Sequence, residues 1–130
     1  MIKIRTVKPS ELDFAKNFIR SIFPEAMVQI TDDDTVLLAE DMGQIVGFAH
    51  VVDDGDRILL QGIGVQPSMR GQGVGTILLE YVMDSFKDTE KPIFLKVKAM
   101  NQAIDLYLRY GFMLQKYGDK VHVLVKKQNS

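Results

Sequence analysis

Residues 59–86 constrain the fold more than any other part of the sequence, and they read LLQGIGVQPSMRGQGVGTILLEYVMDSF. An apolar segment at residues 57–65 predicts a strand, and Pro67 with the glycine-rich run at residues 70–75 predicts the turn that ends it. Apolar residues then recur at helical spacing, which predicts a helix packed on a sheet through Val74, Ile77, Leu78, Tyr81, Val82 and Phe86. The sequence therefore places one strand–turn–helix unit in the middle of the chain.

The junction between this strand and this helix has the properties of an anion-binding site. The first turn of a helix has free N–H groups and the positive end of the helix dipole. Glycines let the backbone approach a phosphate without a Cβ in the way, and Arg70 adds a forked cation suited to phosphate oxygens. The dinucleotide fingerprint fails at Thr76, and no Gly-Lys-Ser/Thr follows for a P-loop. An ordinary turn with spare glycines is the weaker alternative.

Two motifs resemble those of one enzyme family. Arg-x-x-Gly-x-Gly from Arg70 to Gly75, preceded by Val65-x-Pro67, resembles motif A of the GNAT family (GCN5-related N-acetyltransferases), whose loop amides hold the coenzyme A pyrophosphate. The run NQAIDLYLRYGF at residues 101–112 is similar to motif B, where an asparagine opens a helix and Leu-Tyr precedes Gly-Phe. The two motifs occur in the family's order, with one predicted strand between them.

The resemblance implies a set of site residues. It implies acetyl-CoA as the cosubstrate, an amine as the acceptor and no metal. Coenzyme contacts are expected from Ile63, Gly64, Val65, Arg70, Gly71, Gln72, Gly73, Val74, Gly75, Thr76, Asn101 and Tyr107. Tyr107 is the expected general acid for the leaving thiolate, with a merely packed aromatic as the alternative. A backbone N–H near Val65 would stabilise the oxyanion if the fourth strand splays from the fifth, and Gly62 and Gly64 fit such a widened strand.

The general base is the point at which the sequence departs from the family pattern. Gln61 occupies a place where many members carry a glutamate, and a glutamine amide cannot accept a proton at neutral pH. We expect Gln61 to face the acceptor without being the base, on the same strand face as Ile63 and Val65 by the period of two. Substitutes are His50, Glu40 or a chain of waters, although a lone strand histidine is more often packed or exposed. Alternatively, the amine arrives deprotonated.

The other segments predict one α+β domain over residues 1–130. Strands are predicted at residues 2–7, 35–40, 45–52, 57–65, 93–99, 112–117 and 120–126, and helices at residues 10–23, 74–86 and 101–110. Ser10 is the expected cap of the first helix, with Asp13 completing the capping box. The central strands and helix form a parallel βαβ unit, so we expect a GNAT-like, mixed and mostly antiparallel sheet of six or seven strands flanked by helices.

The segment at residues 24–34 allows two interpretations, a short second helix or a solvated turn, and the turn is slightly favoured. In the family resembled, the segment between the first helix and the second strand often lines the acceptor site. Its acidic residues, Asp32, Asp33 and Asp34, could attract a cationic amine.

The composition excludes several classes of protein. The formal net charge of −1 gives no overall basic field for nucleic acid or anionic membranes. The absence of cysteine excludes disulfides, thiolate metal sites and a cysteine nucleophile. No signal-peptide core or membrane-spanning apolar run is found, so a cytoplasmic protein is expected. An edge strand in the C-terminal half could pair two subunits into a homodimer.

Two functions therefore compete. The leading one is an N-acetyltransferase that moves an acetyl group from acetyl-CoA to a primary amine of a metabolite, a polyamine or a protein. The alternative is a non-catalytic acyl-CoA-binding or interaction module on the same fold. Gln61 supports the alternative, and Tyr107 argues against it.

Overall fold

Seven strands form an open mixed sheet in the computed structural model, which describes residues 1–99 and 101–128. The strands are β1 (Ile2–Thr6), β2 (Asp34–Asp41), β3 (Gln44–Asp53), β4 (Ile58–Val65), β5 (Ile93–Lys98), β6 (Met113–Lys116) and β7 (Val121–Lys126). The helices are α1 (Leu12–Ile22), α2 (Val74–Ser85) and α3 (Ala103–Arg109). None of these described helices is long and apolar enough to cross a membrane.

The strand order confirms the fold class expected from the sequence. The order is β1-β2-β3-β4-β5-β7-β6, in which β4 and β5 pair in parallel and the other described neighbours pair antiparallel. α2 connects the two parallel strands, which confirms the central βαβ unit. The last two strands do not simply extend the sheet, because β7 inserts between β5 and β6 and leaves β6 at the edge.

The start of α1 differs from the expectation. Pro9–Glu11 forms a 3₁₀ turn and the α-helix begins at Leu12, so Ser10 is not the cap. The carboxylate of Glu11 accepts the Lys8 N–H at 3.0 Å and both Nη groups of Arg5 at 2.7 Å. Hydrogen bonds from Arg5 lower the pKa of Glu11 to about 2. The strand residue Arg5 thus determines which acid closes the first turn, and a sequence pattern limited to the helix could not include it.

Two apolar cores lie on opposite faces of the sheet. α2 and α3 cover the larger core, which includes Leu37, Ala49, Val51, Ile58, Leu60, Ile93, Leu95 and Leu124 from the strands. α1 covers the smaller core, where Ala15, Phe18 and Ile19 pack against Val36, Leu38 and Phe48. Strand residues alternate between the two cores, as the period of two requires. Both faces of the central strands are therefore buried.

The buried stripe of α2 is rotated from the predicted one. Val74, Leu78 and Val82 are buried as expected, but Leu79 is also buried, whereas Ile77 and Tyr81 are 36% and 43% exposed. The helix is apolar on more than one side, so periodicity alone could not select the face that packs on the sheet.

The segment at residues 24–33 contains no helix or strand, so the second helix considered for it is absent. It is not simply a solvated turn either. Ala26, Val28 and Ile30 are half-buried against the α1-side core. The segment therefore forms an irregular layer beside α1.

β4 contains a β-bulge at Gln61. Leu60 pairs with Val51 and Gly62 pairs with His50, which leaves Gln61 as the extra residue. The extra residue interrupts the alternation of side chains. Ile63 and Val65 pack on the larger core beneath α2 and α3, whereas Gln61 lies on the α1 side of the sheet. The expectation that Gln61 shares a face with Ile63 and Val65 was therefore wrong.

β4 and β5 separate just after the bulge. They pair at Ile58–Ile93, Leu59–Phe94 and Leu60–Leu95, but no described pair joins them beyond that point. The later residues of β4 remain paired with β3, and those of β5 with β7. One edge of β4 is therefore open over residues 61–65, as the splay considered from the sequence required.

Gly64 of β4 lies in a tightly packed place between β3 and the end of α1. An added Cβ would lie 2.5 Å from Cε1 of Phe48, and 3.0 Å from side-chain atoms of Ile22 and Phe23. These rings and methyl groups are packed together, so they have little room to retreat.

We expect Gly64→Ala to lower the free energy of unfolding by about 1–3 kcal/mol, because the new methyl group overpacks this contact. Gly62→Ala is the matched control on the same strand, since its Cβ would meet the Phe48 ring at an ordinary 3.7 Å. Denaturant unfolding of both variants measures the difference. Equal stabilities would contradict the packing described.

Candidate active site

The glycine-rich loop presents a row of unused backbone donors. The N–H groups of residues 71–76 donate to no other described group, because the hydrogen bonds of α2 begin with Ile77 N–H donating to Gly73 at 3.0 Å. Gly71 and Gly73 have φ values of +80° and +86°, in the left-handed region that disfavours side chains. Free N–H groups at the positive end of a helix dipole form a site for an anion.

Arg70 ties this loop to the open end of β4. Its Nε donates to the carbonyl oxygen of Val65 at 3.2 Å, and its side chain is otherwise exposed. The guanidinium is thus held beside the free N–H groups, with neither Nη bonded to a described residue. Cation and donors together favour a multiply charged anion such as a pyrophosphate.

A cavity of about 410 Å³ continues from the loop along β4. It contains most of the coenzyme contacts expected from the sequence and is lined by Ile63, Gly64, Val65, Arg70, Gly75, Asn101 and Tyr107, with Ile22, Phe23, Gln102, Ala103 and Leu106. Gly71, Gln72, Gly73 and Thr76 lie in the adjoining loop and helix turn. Val74 is 1% exposed and belongs to the core, so only its backbone faces this site.

Tyr107 lines this cavity and is largely buried. Its ring is 8% exposed and makes an edge-to-face contact with Phe112 at 5.8 Å between centroids. No hydrogen bond joins its hydroxyl to another described residue. Burial raises the pKa of Tyr107, so the phenol stays protonated at neutral pH. Tyr110 differs, because its hydroxyl donates to Glu80 at 2.9 Å and links α3 to α2.

Asn101 also lines the cavity, and its side chain forms a hydrogen bond at the start of α3. The helix begins at Ala103 rather than at Asn101, and Asn101 Oδ1 accepts the Ala103 N–H at 2.8 Å. One side of its amide is therefore used for capping, which leaves the side-chain NH₂ group available to a ligand.

A second cavity of about 400 Å³ lies on the α1 side of the sheet and contains both residues expected near the acceptor. Gln61 and His50 line it together with Ile19, Phe23, Ala26, Met27, Val28, Gln29, Phe48, Val52 and Gly62. Phe23 also lines the first cavity, so the two cavities meet at its ring. His50 is the one ionisable residue among those lining the second cavity.

His50 is paired with an aspartate behind it. His50 Nε2 lies 2.8 Å from Oδ2 of Asp34, and the two side chains are 10% and 4% exposed. Thr31 donates to the same carboxylate through its backbone N–H at 3.2 Å and its hydroxyl at 2.9 Å. Burial acts to raise the pKa of Asp34, but the hydrogen bonds from His50 and Thr31 outweigh it and lower that pKa. The pair is therefore a carboxylate that orients an imidazole.

Comparison with known proteins identifies the family. The family model described as an acetyltransferase (GNAT) domain matches residues 32–114, more than half of the chain. The chain belongs to the GNAT acetyltransferase family. The match runs from the strand that carries Asp34 to the helix that carries Tyr107, and it leaves out the cavity-lining residues of α1 and of the segment that follows it.

Several solved structures have the same fold as this chain. The ribosomal-protein-S18-alanine N-acetyltransferase of Escherichia coli has a TM-score of 0.83 at 20% identity, with 100% of this chain and 96% of that one covered. The PaiA N-acetyltransferase of Thermoplasma acidophilum, solved in complex with coenzyme A, has a TM-score of 0.79 at 14% identity, with 98% and 99% covered.

A curated relative matches over a shorter stretch. The histidine N-acetyltransferase of Oreochromis niloticus is 36% identical over 55 residues, which span 41% of this chain and 16% of that protein. This chain therefore matches a small part of that relative's length.

Three other sequence candidates line neither cavity of the GNAT domain. Glu40, considered as a base, accepts the Nε–H of Arg5 at 2.6 Å and is not among the residues lining either cavity. Asp32 and Asp33 are exposed in the loop before β2. Asp34 is the acid that reaches the second cavity, through His50.

Sequence reasoning missed the pairing of Asp34 with His50, and it did not consider Phe23 as a site residue. The signal for Asp34 was the β2–β3 hairpin, since Asp34 pairs with Val52 while His50 pairs with Val36, which makes Asp34 and His50 diagonal neighbours on one face. Phe23 follows α1, which ends at Ile22, and its side chain is 39% exposed and lines both cavities.

We expect the Tyr107 phenol to ionise above its ordinary pKa of 10.0, because burial disfavours the phenolate. The difference between absorbance titrations of the wild type and Tyr107→Phe isolates this group. Circular dichroism must show that the fold is intact across the pH range used. If the difference titration shows a phenol with a pKa at or below 10, the Tyr107 hydroxyl is more exposed to solvent than described.

Proposed function

We propose that this protein transfers an acetyl group from acetyl-CoA to a primary amine. The observation that carries the proposal is the open edge of β4, which runs between the free amides of the glycine loop and Tyr107 and lies beside a cavity that contains His50 and Gln61. An anion site, an unpaired strand edge, a buried acid and a separate acceptor cavity are the parts that acetyl transfer from coenzyme A requires. We propose that residues 1–130 act as one domain and that they act in the cytoplasm.

The residues present fit coenzyme A. The N–H groups of residues 71–76 and the Arg70 guanidinium would hold its pyrophosphate, and the space beside Gly71 and Gly73 is open, with no described atom within 4 Å of an added Cβ. The open edge of β4 at residues 62–65 would bind the pantetheine amides as an added strand does. The cosubstrate supplies an acetyl thioester, and a backbone N–H near Val65 would donate to its carbonyl oxygen.

Tyr107 would protonate the leaving sulfur. A general acid must carry its proton at working pH and must reach the reacting group. Tyr107 meets the first condition, because burial raises its pKa, and it lines the cavity in which the thioester would lie. Its hydroxyl has no described hydrogen-bond partner that would compete for the proton.

The free N–H groups of residues 71–76 predict that a side chain at Gly73 blocks coenzyme binding. We expect Gly73→Glu to weaken coenzyme A affinity by at least tenfold, because the carboxylate would lie against the phosphates, and a tenfold loss equals about 1.4 kcal/mol. Gly43→Glu is the matched control, since Gly43 has a nearly equal φ of +83°, similarly open surroundings and a place in the β2–β3 turn. Calorimetry measures both. Equal affinities in folded variants would place the phosphate site elsewhere.

The function itself is tested by following release of the free thiol with a panel of primary amines. The panel should include free histidine, a peptide with an N-terminal alanine, a polyamine and a lysine peptide, because the relatives named above act on different amines. Tyr107→Phe should lower kcat by about a hundredfold to ten-thousandfold with little change in coenzyme affinity. Tyr110→Phe, in which the lost hydroxyl is bonded to Glu80, should keep its activity.

The alternative proposal is a non-catalytic acyl-CoA-binding module, and the observation favouring it is that Gln61 places no carboxylate on β4. Under this alternative, the wild type binds coenzyme A but releases no thiol with any amine. If the wild type releases thiol but Tyr107→Phe has unchanged turnover, the acetyltransferase proposal stands. Only the role of Tyr107 as the general acid is then wrong.

A further inference from the structure

The buried pair of His50 and Asp34 has no evident structural necessity. His50 lines the second cavity, in a mainly apolar surrounding that includes Phe48 and Ile19, and the side chain of Asp34 is buried behind it. Burying an ionisable pair costs desolvation energy that an apolar pair would avoid. A histidine that lines a cavity while a buried carboxylate holds its far nitrogen is the arrangement expected of an oriented base.

The hydrogen bonds determine which ring nitrogen is available. In the neutral imidazole, Nε2 carries the proton and donates it to Asp34 at 2.8 Å, so Nδ1 keeps its lone pair. Asp34 is itself held by two hydrogen bonds from Thr31, which fixes the carboxylate in place. No other charged residue among the described ones bonds to His50 or lines its cavity. An imidazolium formed there would be neutralised by Asp34 alone.

The bulge at Gln61 sets the imidazole beside the open strand edge. His50 is the direct cross-strand partner of Gly62, the first residue after the bulge, and lies on the same face as Gln61. Directly opposed residues in an antiparallel pair have their Cα atoms about 4.5–5.5 Å apart. An amine in this cavity would therefore lie between His50 and the thioester, with the Phe23 ring at the boundary.

We infer that His50, oriented by Asp34, is the general base that takes the proton of the acceptor amine. This inference rests on the proposed acetyl transfer. The acceptor arrives as an ammonium group and first gives one proton to Nδ1 of His50, directly or across one water. The neutral nitrogen then forms a bond to the acetyl carbon and loses a second proton to solvent. The carbon–sulfur bond breaks, and the sulfur takes the proton of the Tyr107 hydroxyl. The proton on His50 then restores the phenol through solvent, so protons and bonds balance. Asp34 acts as a positioning residue.

The same cavity indicates the class of acceptor. Its lining offers apolar side chains with three polar ones, Gln29, His50 and Gln61, but no carboxylate to hold a second positive charge. The acceptor is therefore a primary amine on an apolar or uncharged body rather than a polyamine.

The test compares pH profiles of kcat/KM for the wild type, His50→Gln, Asp34→Asn and His122→Gln, using the best amine of the panel. His122 is the matched control, because it is as buried as His50 but lies on β7, where it stacks on Tyr117 and accepts the Gly118 N–H. We expect His50→Gln to lose about a hundredfold to ten-thousandfold at neutral pH. The loss should shrink as the pH rises toward the pKa of the amine, because the amine then arrives deprotonated.

Asp34→Asn is the second variant, and it leaves the imidazole in place. We expect a smaller loss than in His50→Gln, because the imidazole remains but is no longer oriented by the Asp34 carboxylate, and this loss should also shrink as the pH rises toward the pKa of the amine. Coenzyme A affinity should be unchanged in both variants, and His122→Gln should match the wild type.

Three results would overturn the inference. They are a wild-type profile for folded His50→Gln, a loss that is equal at every pH, and a loss accompanied by weaker coenzyme binding. Each of these leaves wild-type activity, and with it the proposed function, intact. If the wild type has no activity with any amine, the acetyltransferase proposal fails, and the base fails with it.

Discussion

The structure depends on the separation of two neighbouring parallel strands. In a closed sheet, the N–H and C=O groups of β4 and β5 would satisfy one another along their whole length. Here β4 keeps its pairing with β3 while β5 keeps its pairing with β7, so each remains anchored on one side while they diverge on the other. The bulge at Gln61 lies where pairing ends, and a bulge bends its strand and increases its local twist. The site is thus a gap in the sheet rather than a pocket added to its surface.

The two sides of this gap differ in electrostatic character. The loop side offers N–H groups, a helix dipole and Arg70, all of which favour a highly charged anion. The other side is apolar and contains a single histidine whose partner is buried behind it. Under the proposed function, the charged coenzyme and a less highly charged acceptor would bind on these two sides, and each would be disfavoured at the place of the other.

The sequence was sufficient for the parts of the fold that depend on local pattern. The strand, the alternating glycines behind Arg70 and the apolar helix identify the βαβ unit, because backbone freedom and periodicity are local properties. The predicted orientations of Gln61 in its strand and of Tyr81 in its helix were wrong for different reasons. A bulge in β4 depends on its pairing with β3, and the buried side of an apolar helix depends on the sheet beneath it. The pairing of Asp34 with His50 was missed because it depends on a partner across a hairpin.

The position of Phe23 has a consequence for binding. One aromatic ring forms part of the wall of both cavities, so a ligand that moves it in one cavity changes the shape of the other. The affinities for the two substrates would then be linked through a coupling free energy. Such coupling is reciprocal: whatever factor the first ligand imposes on the affinity of the second, the second imposes on the first. Phe23, just after the end of α1, would thereby make the binding free energy of each substrate depend on whether the other substrate is bound.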